Sequence, residues 1–567
     1  MPEEGVGAVL IALQIPMYLP IDFSLYFAII YTEKVTEEAI MLTKEYKEMS
    51  RLVVYQIYPR SFMDSNGDGI GDLKGVESKL DHLRELGVNA IWLCPCYKSP
   101  NVDNGYDVAD YRDIMDEFGT MEDMKSLIAA AHEKGIKIIM DLVPNHTSDQ
   151  HKWFLESKKG KDNPYSDFYY WFDQPQNDWQ ACFGGSAWEY CEERGQYYLH
   201  SYAVEQPDLN WDNPRVRQEM CDVIDFWVQL GVDGFRIDVI DQISKNMDGY
   251  NCFGPHLHEY IRQMFGREEV RHLFTVGECW ASTLEEVRNH CAAERRELTT
   301  LFQFEHLEAG RDTKYIRKPQ SLSVVRDILV KWQRIADDND LLYSLFTDNH
   351  DSSQFLSRMG NDRELRYESA TCIAAMFYTL RGIPFIYMGQ EFGTPLPHYD
   401  SMEHFNDIEC VNKYHEEAPL IGHEQALERC NFGSRDGTRR PMSWNGGKYA
   451  GFSTTKPWLT PNSRYKEVNL EADKSGCKSV FRFYRDLLKL RRESDAILYG
   501  SLEVLSKEED PYFLFEREYQ GEKLTVAINF ERESSIPLPE DAQVVLRNYS
   551  DTAKKFRPYE VIILKHR

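Results

Sequence analysis

Arg236 and Asp238 stand two residues apart in Gly231-Val-Asp-Gly-Phe-Arg-Ile-Asp-Val-Ile240, a largely apolar stretch that reads as a helix exit, a glycine turn and a short buried strand. Residues i and i+2 of a strand face the same side, so the guanidinium and the carboxylate address one place. A buried charge needs a partner, and the arginine would hold the aspartate ionised, as a nucleophile or an electrostatic base must be. Read alone, the pair serves equally well as a structural ion pair at a strand end. Further chemistry-bearing residues occur in Asp141-Leu-Val-Pro-Asn-His146, at Glu278 in Val276-Gly-Glu278, and in Asn349-His-Asp351. Asp238, Glu278 and Asp351, with Asp141, two histidines and an arginine, form a set able to move protons and to attack an electrophilic carbon, provided the fold gathers them.

The elements that must gather them alternate. Strand-like runs at Val53–Tyr58, Ala90–Leu93, Ile136–Leu142, the Phe235 region, Phe274–Gly277, Leu301–Phe304, Leu342–Phe346 and Pro384–Tyr387 are separated by helical patterns such as Met124, Leu127, Ile128, Ala131. Gly87, Gly135 and Gly231 stand where helices end. Eight strands alternating with helices predict a (β/α)8 TIM barrel of parallel strands, in which reactive residues sit at strand C-termini, where all the residues above fall. About 65 residues rich in Trp, Tyr, Gly, Asp and Asn interrupt the rhythm after His146, which predicts an inserted subdomain after strand three. The span from about Glu391 to Glu471 reads as loop, and alternating runs such as Lys523–Phe530 and Tyr559–Leu564 predict a C-terminal antiparallel β domain. The expected division is 1–50 as an atypical extension, 51–145 with 212–485 as the barrel, 146–211 as the inserted subdomain, and 486–567 as a C-terminal β-sandwich.

The chain of 567 residues carries a formal charge of −27, which argues against nucleic acid as a partner. Twelve scattered cysteines without zinc-like pairs fit a reduced, cytoplasmic setting. Residues 5–31 are mostly apolar but contain Pro16, Pro20 and Asp22 and begin on the wrong charge for a secretion signal, so neither a signal nor a membrane span is expected. Asp64-Ser-Asn-Gly-Asp-Gly-Ile-Gly-Asp72 spaces Asp64, Asn66, Asp68, the Ile70 carbonyl and Asp72 as in the first part of an EF-hand loop, a candidate Ca²⁺ site that lacks the closing glutamate.

Taken together, the blocks Asp141–His146, Gly234–Asp238, Val276–Glu278 and Asn349–Asp351 resemble the four signature regions of the α-amylase superfamily of glycoside hydrolases. Gln206-Pro-Asp-Leu-Asn210 resembles the additional signature of its oligo-1,6-glucosidase subfamily, and Gly382–Glu391 the eighth-strand block. The resemblance runs from about residue 51 to the C-terminus. It implies Asp238 as nucleophile, Glu278 as general acid/base and Asp351 as the third carboxylate that grips sugar hydroxyls. It further implies Tyr106 and Asp107 as the platform and anchor for the non-reducing glucose, His146 and His350 as hydroxyl-binding histidines, Arg236 as partner of the nucleophile, and Arg439 as an arginine at the pocket end. In the subfamily the Asp64–Asp72 loop holds a structural calcium ion, and a valine at the position of Val239 accompanies α-1,6 linkages. Gln354 departs from the pattern, which has an arginine there.

The implied activity is that of a retaining, exo-acting α-glucosidase on short α-1,6-glucosides, acting as a cytoplasmic monomer on small sugars. α-1,4-Glucosidase, trehalose-6-phosphate hydrolase and sucrose isomerase are the near alternatives. The heavy subunit of amino-acid transporters, a membrane-anchored relative of the barrel, is the alternative of another class.

Overall fold

The computed structural model describes residues 47–567 except 250, 282, 296 and 552. The apolar N-terminal stretch lies outside the described residues. Among those described, no helix is long and apolar enough to cross a membrane.

Eight strands form one parallel sheet: β1 Val54–Ile57, β2 Ala90–Leu93, β3 Lys137–Leu142, β4 Gly234–Ile237, β5 Phe274–Glu278, β6 Thr300–Phe302, β7 Ser344–Leu345 and β8 Ile383–Tyr387. Their spatial order is β6-β5-β4-β3-β2-β1-β8-β7. The seam between β6 and β7 is bridged by side chains, with Thr300 Oγ1 donating to the Leu342 carbonyl at 2.8 Å and Ser344 Oγ to that of Leu301 at 2.7 Å. The sheet is thereby a nearly closed TIM barrel, as the alternation of patterns predicts. Aromatic rings fill it: Phe302 packs edge-on against Phe346 and Phe385 at centroid distances of 4.9 and 4.8 Å. Gly234 is demanded by close strand approach, since a Cβ there would lie 2.2 Å from the Phe274 carbonyl oxygen.

Residues inserted after β3 form a helix, Lys152–Ser157, and a small antiparallel sheet of Trp171–Phe172, Gln196–Leu199 and Trp188–Cys191. Their tie to the barrel is a buried ion pair, Lys245 Nζ to Asp208 Oδ2 at 2.6 Å, with Lys245 also donating to Asn145 Oδ1 at 2.7 Å. The span expected as loop contains two helices, Ile408–Ile421 and His423–Gly433, which pack as a hairpin.

Two expected features of the C-terminal part are corrected. The boundary at 485/486 falls inside the helix Val480–Glu493, whose Phe481, Tyr484, Leu487 and Leu488 are buried and which packs on Arg366–Tyr378 of the barrel. In place of a sandwich there is one five-stranded antiparallel sheet: β9 Ser501–Val504, β10 Tyr512–Tyr519, β11 Glu522–Asn529, β12 Ala542–Arg547 and β13 Val561–His566, in the order β9-β10-β11-β13-β12. A second sheet is unnecessary because the helix Arg366–Tyr378 lies against β11 and β13, while Ile536 and Phe556 cover Leu514, Ala527, Ile562 and Leu564.

Candidate active site

The register of the central strands explains the cluster. Asp141 on β3 and Val276 on β5 both stand level with Arg236 on β4. With side chains alternating, Asp238 and Glu278, each two residues further on, emerge at the same rim. Arg236 answers three carboxylates at once: Nη1 donates to Asp141 Oδ1 at 2.8 Å and to Asp238 Oδ1 at 2.7 Å, and Nη2 donates to Glu278 Oε2. Trp92 Nε1 and the Tyr106 hydroxyl each donate to Asp141 Oδ2 at 3.0 Å, which commits Asp141 to holding the arginine.

Three carboxylates around one cation leave an excess of negative charge in a buried place. Burial pushes Asp238 well above the ordinary carboxylate range; Arg236 opposes this and the neighbouring charges of Glu278 and Asp141 add to it. Asp351 shows the opposite balance. Burial would raise it, but His350, Arg439 and Arg435 outweigh burial and hold it well below the usual range.

His350 is placed by hydrogen bonds on both nitrogens. Nδ1 accepts from Gln56 Nε2 at 2.9 Å, while Nε2 lies 2.7 Å from the Tyr106 hydroxyl and 3.0 Å from Asp351 Oδ2. The Tyr106 ring stacks on that imidazole with centroids 5.3 Å apart. Arg439 donates from Nη2 to Asp351 Oδ1 at 2.6 Å and from Nε to the His350 carbonyl at 2.9 Å, and it is fully buried. His146 lies between Asn145 Nδ2, 3.1 Å from Nδ1, and Gln206 Nε2, 3.2 Å from Nε2, and burial lowers it to about 4, so it is neutral. Val239 has left-handed backbone at φ 35°, rare for a β-branched residue, and its N–H points at Glu278 Oε2 from 3.4 Å.

Asp107 is placed differently from its expected role. The turn through Asn104 and Gly105 is left-handed, at φ 50° and 102°, and folds the Asp107 carboxylate back onto the N–H groups of Val102 and Asp103 at 2.9 and 3.0 Å. The carboxylate that faces the site from this loop is Asp103, 3.2 Å from Arg435 Nη1. Arg435 lies 3.9 Å from Asp351 Oδ1 and binds Asp407 Oδ1 through Nη2 at 2.8 Å. Asp407 and Arg435 stand at the two ends of the helical hairpin, so one ion pair closes its base and aims the guanidinium at the site. Neither Asp103 nor Arg435 was found by sequence reasoning, although Arg435 opens the Arg-Asp-Gly-Thr-Arg439 run in which Arg439 was chosen. Gln354, where an arginine is usual, donates instead to the Gly437 carbonyl at 2.7 Å and ties the β7 loop to that run.

The oxygen-rich donor set of the Asp64–Asp72 loop suits a hard cation, and the fit is partial. Asp64 accepts from the N–H groups of Asn66, Gly67 and Gly69 at 3.1, 2.6 and 2.8 Å, and the Asn66 and Asp68 side chains touch at 3.1 Å. Asp72, however, accepts from Ser65 N and Oγ and caps the helix Leu73–Glu77 through Gly75 N at 2.7 Å. Among the described residues no three acidic, histidine or cysteine side chains converge as a metal site.

Residues 56–500 match the family model described as alpha amylase, catalytic domain. The chain belongs to the α-amylase family of glycoside hydrolases. It is 43% identical over 549 residues to an oligo-1,6-glucosidase of Bacillus cereus, covering 90% of this chain and 98% of that protein. A 42% identical relative is a glucan 1,6-alpha-glucosidase of Streptococcus pneumoniae, covering 85% of this chain and 91% of that one. Among solved structures, trehalose-6-phosphate hydrolase of Bacillus licheniformis superposes with a TM-score of 0.86 at 38% identity, over 91% of this chain and 99% of that one. An isomaltulose synthase mutant of Erwinia rhapontici, in complex with sucrose, gives 0.86 at 37%, over 91% and 98%.

Proposed function

We propose that this glycoside hydrolase is a retaining, exo-acting α-glucosidase that releases glucose from the non-reducing end of short α-1,6-glucosides. The observation that carries the reading is the double use of Arg236, which holds Asp238 and Glu278 at the two nitrogens of one guanidinium. Carboxyls that share so small a group suit the separation of about 5 to 5.5 Å of retaining enzymes, not the 6.5 to 9.5 Å that admits a water between them. Asp238 attacks the anomeric carbon while Glu278 protonates the departing oxygen. The glucosyl–Asp238 ester is then cleaved by a water that Glu278 deprotonates, and the configuration is retained over the two inversions. Asp351, kept anionic by its cationic neighbours, grips sugar hydroxyls and stabilises the positive charge that develops on the ring. Asp103 and Arg435 take the anchoring role at the non-reducing end, and Val239 narrows the space beside the scissile oxygen.

A hydrolase of a phosphorylated disaccharide would need cations to spare. Arg236, Arg435, Arg439 and Lys245 each answer a carboxylate within the site, which favours the neutral substrate. The reading extends to a monomer, to a cytoplasmic setting, supported by twelve free cysteines, and to calcium in the Asp64–Asp68 half of its loop, supported by the donor chemistry. The deciding experiment compares initial rates on isomaltose, maltose, sucrose and trehalose 6-phosphate. Isomaltose is expected to be the best substrate, with α-glucose as the first product by NMR; β-glucose or a preference for trehalose 6-phosphate would overturn the reading.

A further inference from the structure

Asp351 and Gln354 share the loop that leaves β7, and that loop is braced along its length. Asp348 Oδ1 accepts from the Phe355 N–H at 2.7 Å, and the Gln354 carbonyl accepts from the N–H groups of Ser357 and Arg358 at 3.1 and 3.2 Å where the helix Phe355–Met359 begins. Opposite stands the run Arg435–Arg439. Thr438 N and Arg439 N both donate to the Arg435 carbonyl, at 3.1 and 3.2 Å, so its backbone moves as one piece. Asp407 holds this piece at the hairpin base through Arg435, Ser61 Oγ donates to the Arg439 carbonyl at 2.5 Å, and the Tyr387 hydroxyl of β8 donates to the Thr438 carbonyl at 3.0 Å. From the loop of Asp351 the support is Gln354, whose Nε2 donates to the Gly437 carbonyl at 2.7 Å. The approach there is close, since a Cβ on residue 437 would stand 3.0 Å from Leu396 Cδ1 and 3.5 Å from Gln354 Oε1. It matters because Asp351 Oδ1 meets Arg439 Nη2 at 2.6 Å and Arg435 Nη1 at 3.9 Å, and the second contact has no length to spare. Gln354 itself is 7% exposed, and its Oε1 is buried without a hydrogen-bond partner. That orphaned oxygen offsets what the Nε2 bond contributes, so the amide adds little net stability and its consequence is geometric.

We propose that Gln354 is a positioning residue that sets the turn bearing Arg435 and Arg439 against Asp351, and thereby the orientation of the carboxylate that grips the glucosyl hydroxyls. The proposal rests on that role of Asp351. Without the brace the Gly437 carbonyl loses its donor, the turn settles away from the β7 loop, and the two guanidiniums no longer converge on one carboxylate oxygen. A displacement of about 1 Å in a group that must fit the transition state costs up to about 100-fold in rate. Gln354 acts through Asp351 and not on the sugar.

The test is a double-mutant cycle in kcat/KM on p-nitrophenyl α-glucoside, whose coloured product makes slow variants measurable. Gln354→Met keeps the length of the side chain and exchanges one orphaned oxygen, Oε1, for another, the Gly437 carbonyl, so the melting temperature is expected to stay near that of the wild type. In the wild-type background it is expected to lower kcat/KM by about 10- to 100-fold. In the Asp351→Asn background, where the carboxylate to be oriented is gone, the same substitution is expected to change kcat/KM by no more than about twofold. Wild-type kcat/KM in Gln354→Met, or an equal loss in both backgrounds, overturns the proposal, since a merely structural role lowers both alike. Should Gln354→Met fail to fold, Gln354→Leu carries the same expectation. Full activity of Asp351→Asn alone would instead overturn the role of Asp351, whatever Gln354 does.

Discussion

Asp238 has a demanding position: it must be anionic to attack, yet it is 6% exposed and shares one arginine with two other carboxyls. Replacing it with asparagine removes the nucleophile, and kcat on isomaltose is expected to fall at least about 10⁴-fold, as for other enzymes that lose a covalent nucleophile. The pH dependence follows from its neighbours. Burial raises Asp238, and the Asp141 charge raises it further, so the acid limb of kcat/KM, where the nucleophile gains its proton, lies above the ordinary carboxylate range. Asp141→Asn removes one negative charge and frees Arg236 Nη1 for Asp238 alone. The acid limb is expected to move to lower pH, with a lower kcat because the guanidinium loses a support at 2.8 Å. A limb that moves up, or does not move, would show that Asp141 does not set the nucleophile's charge. The strand-end residues were legible in the sequence because β-strand periodicity and barrel topology together dictate where they emerge. Asp107 and Asp103 stand only four positions apart, and only the left-handed Asn104–Gly105 turn decides which carboxylate faces the site.

At the scale of elements, all eight barrel strands were readable, since buried parallel strands are short apolar runs bounded by helix exits. The helical hairpin Ile408–Gly433 was not. Its first helix buries only Cys410, contains Pro419, and so lacks the apolar stripe that marks a helix. That failure also hid Arg435, which has meaning only once the hairpin brings Asp407 beside it. The packing of strand on turn is testable at Gly277, where an added methyl group would stand 2.8 Å from both Leu298 Cδ1 and Leu301 Cδ2. Gly277→Ala is expected to destabilise the protein by about 1 to 3 kcal/mol, the usual cost of overpacking, read as a lower urea midpoint at unchanged slope. The Asp64–Asp72 loop offers a second test. Its half-site is some way from any catalytic group in sequence, and Asp64 also holds Ser453 Oγ at 2.6 Å, so the loop staples the β1 end to the segment after the hairpin. Chelation of calcium is expected to lower the melting temperature while initial rates below that temperature stay unchanged; an unaltered melting curve would remove calcium from the account.

For the molecule as a whole, the question is whether the C-terminal sheet is a separate folding unit. Residues 49–567 form one compact body, and the joint between sheet and barrel is polar as well as apolar. Arg326, on the barrel helix Leu322–Asn339, is 2% exposed and donates to the carbonyls of Glu508, Asp510 and Tyr512 at 2.6, 2.7 and 3.0 Å. Asn548 of the C-terminal region reaches Thr371 Oγ1 at 3.0 Å, beside Cys372, whose thiol faces the Asn529 carbonyl at 3.5 Å. Buried carbonyls left without donors are costly, so the sheet gains by staying docked until the barrel itself opens. A calorimetric scan of the wild type is therefore expected to show one cooperative transition. Arg326→Met keeps the volume of the side chain but removes these three charge-assisted hydrogen bonds together with the Nε bond to Asp327 at 2.8 Å, and should cost about 2 to 4 kcal/mol while leaving KM for isomaltose unchanged. The variant is still expected to unfold in one step, because the apolar contact of β11 and β13 with the helix Arg366–Tyr378 remains. If a separate transition of lower enthalpy appears in Arg326→Met, the arginine is the principal bond between the two parts and the sheet can leave the barrel folded behind it.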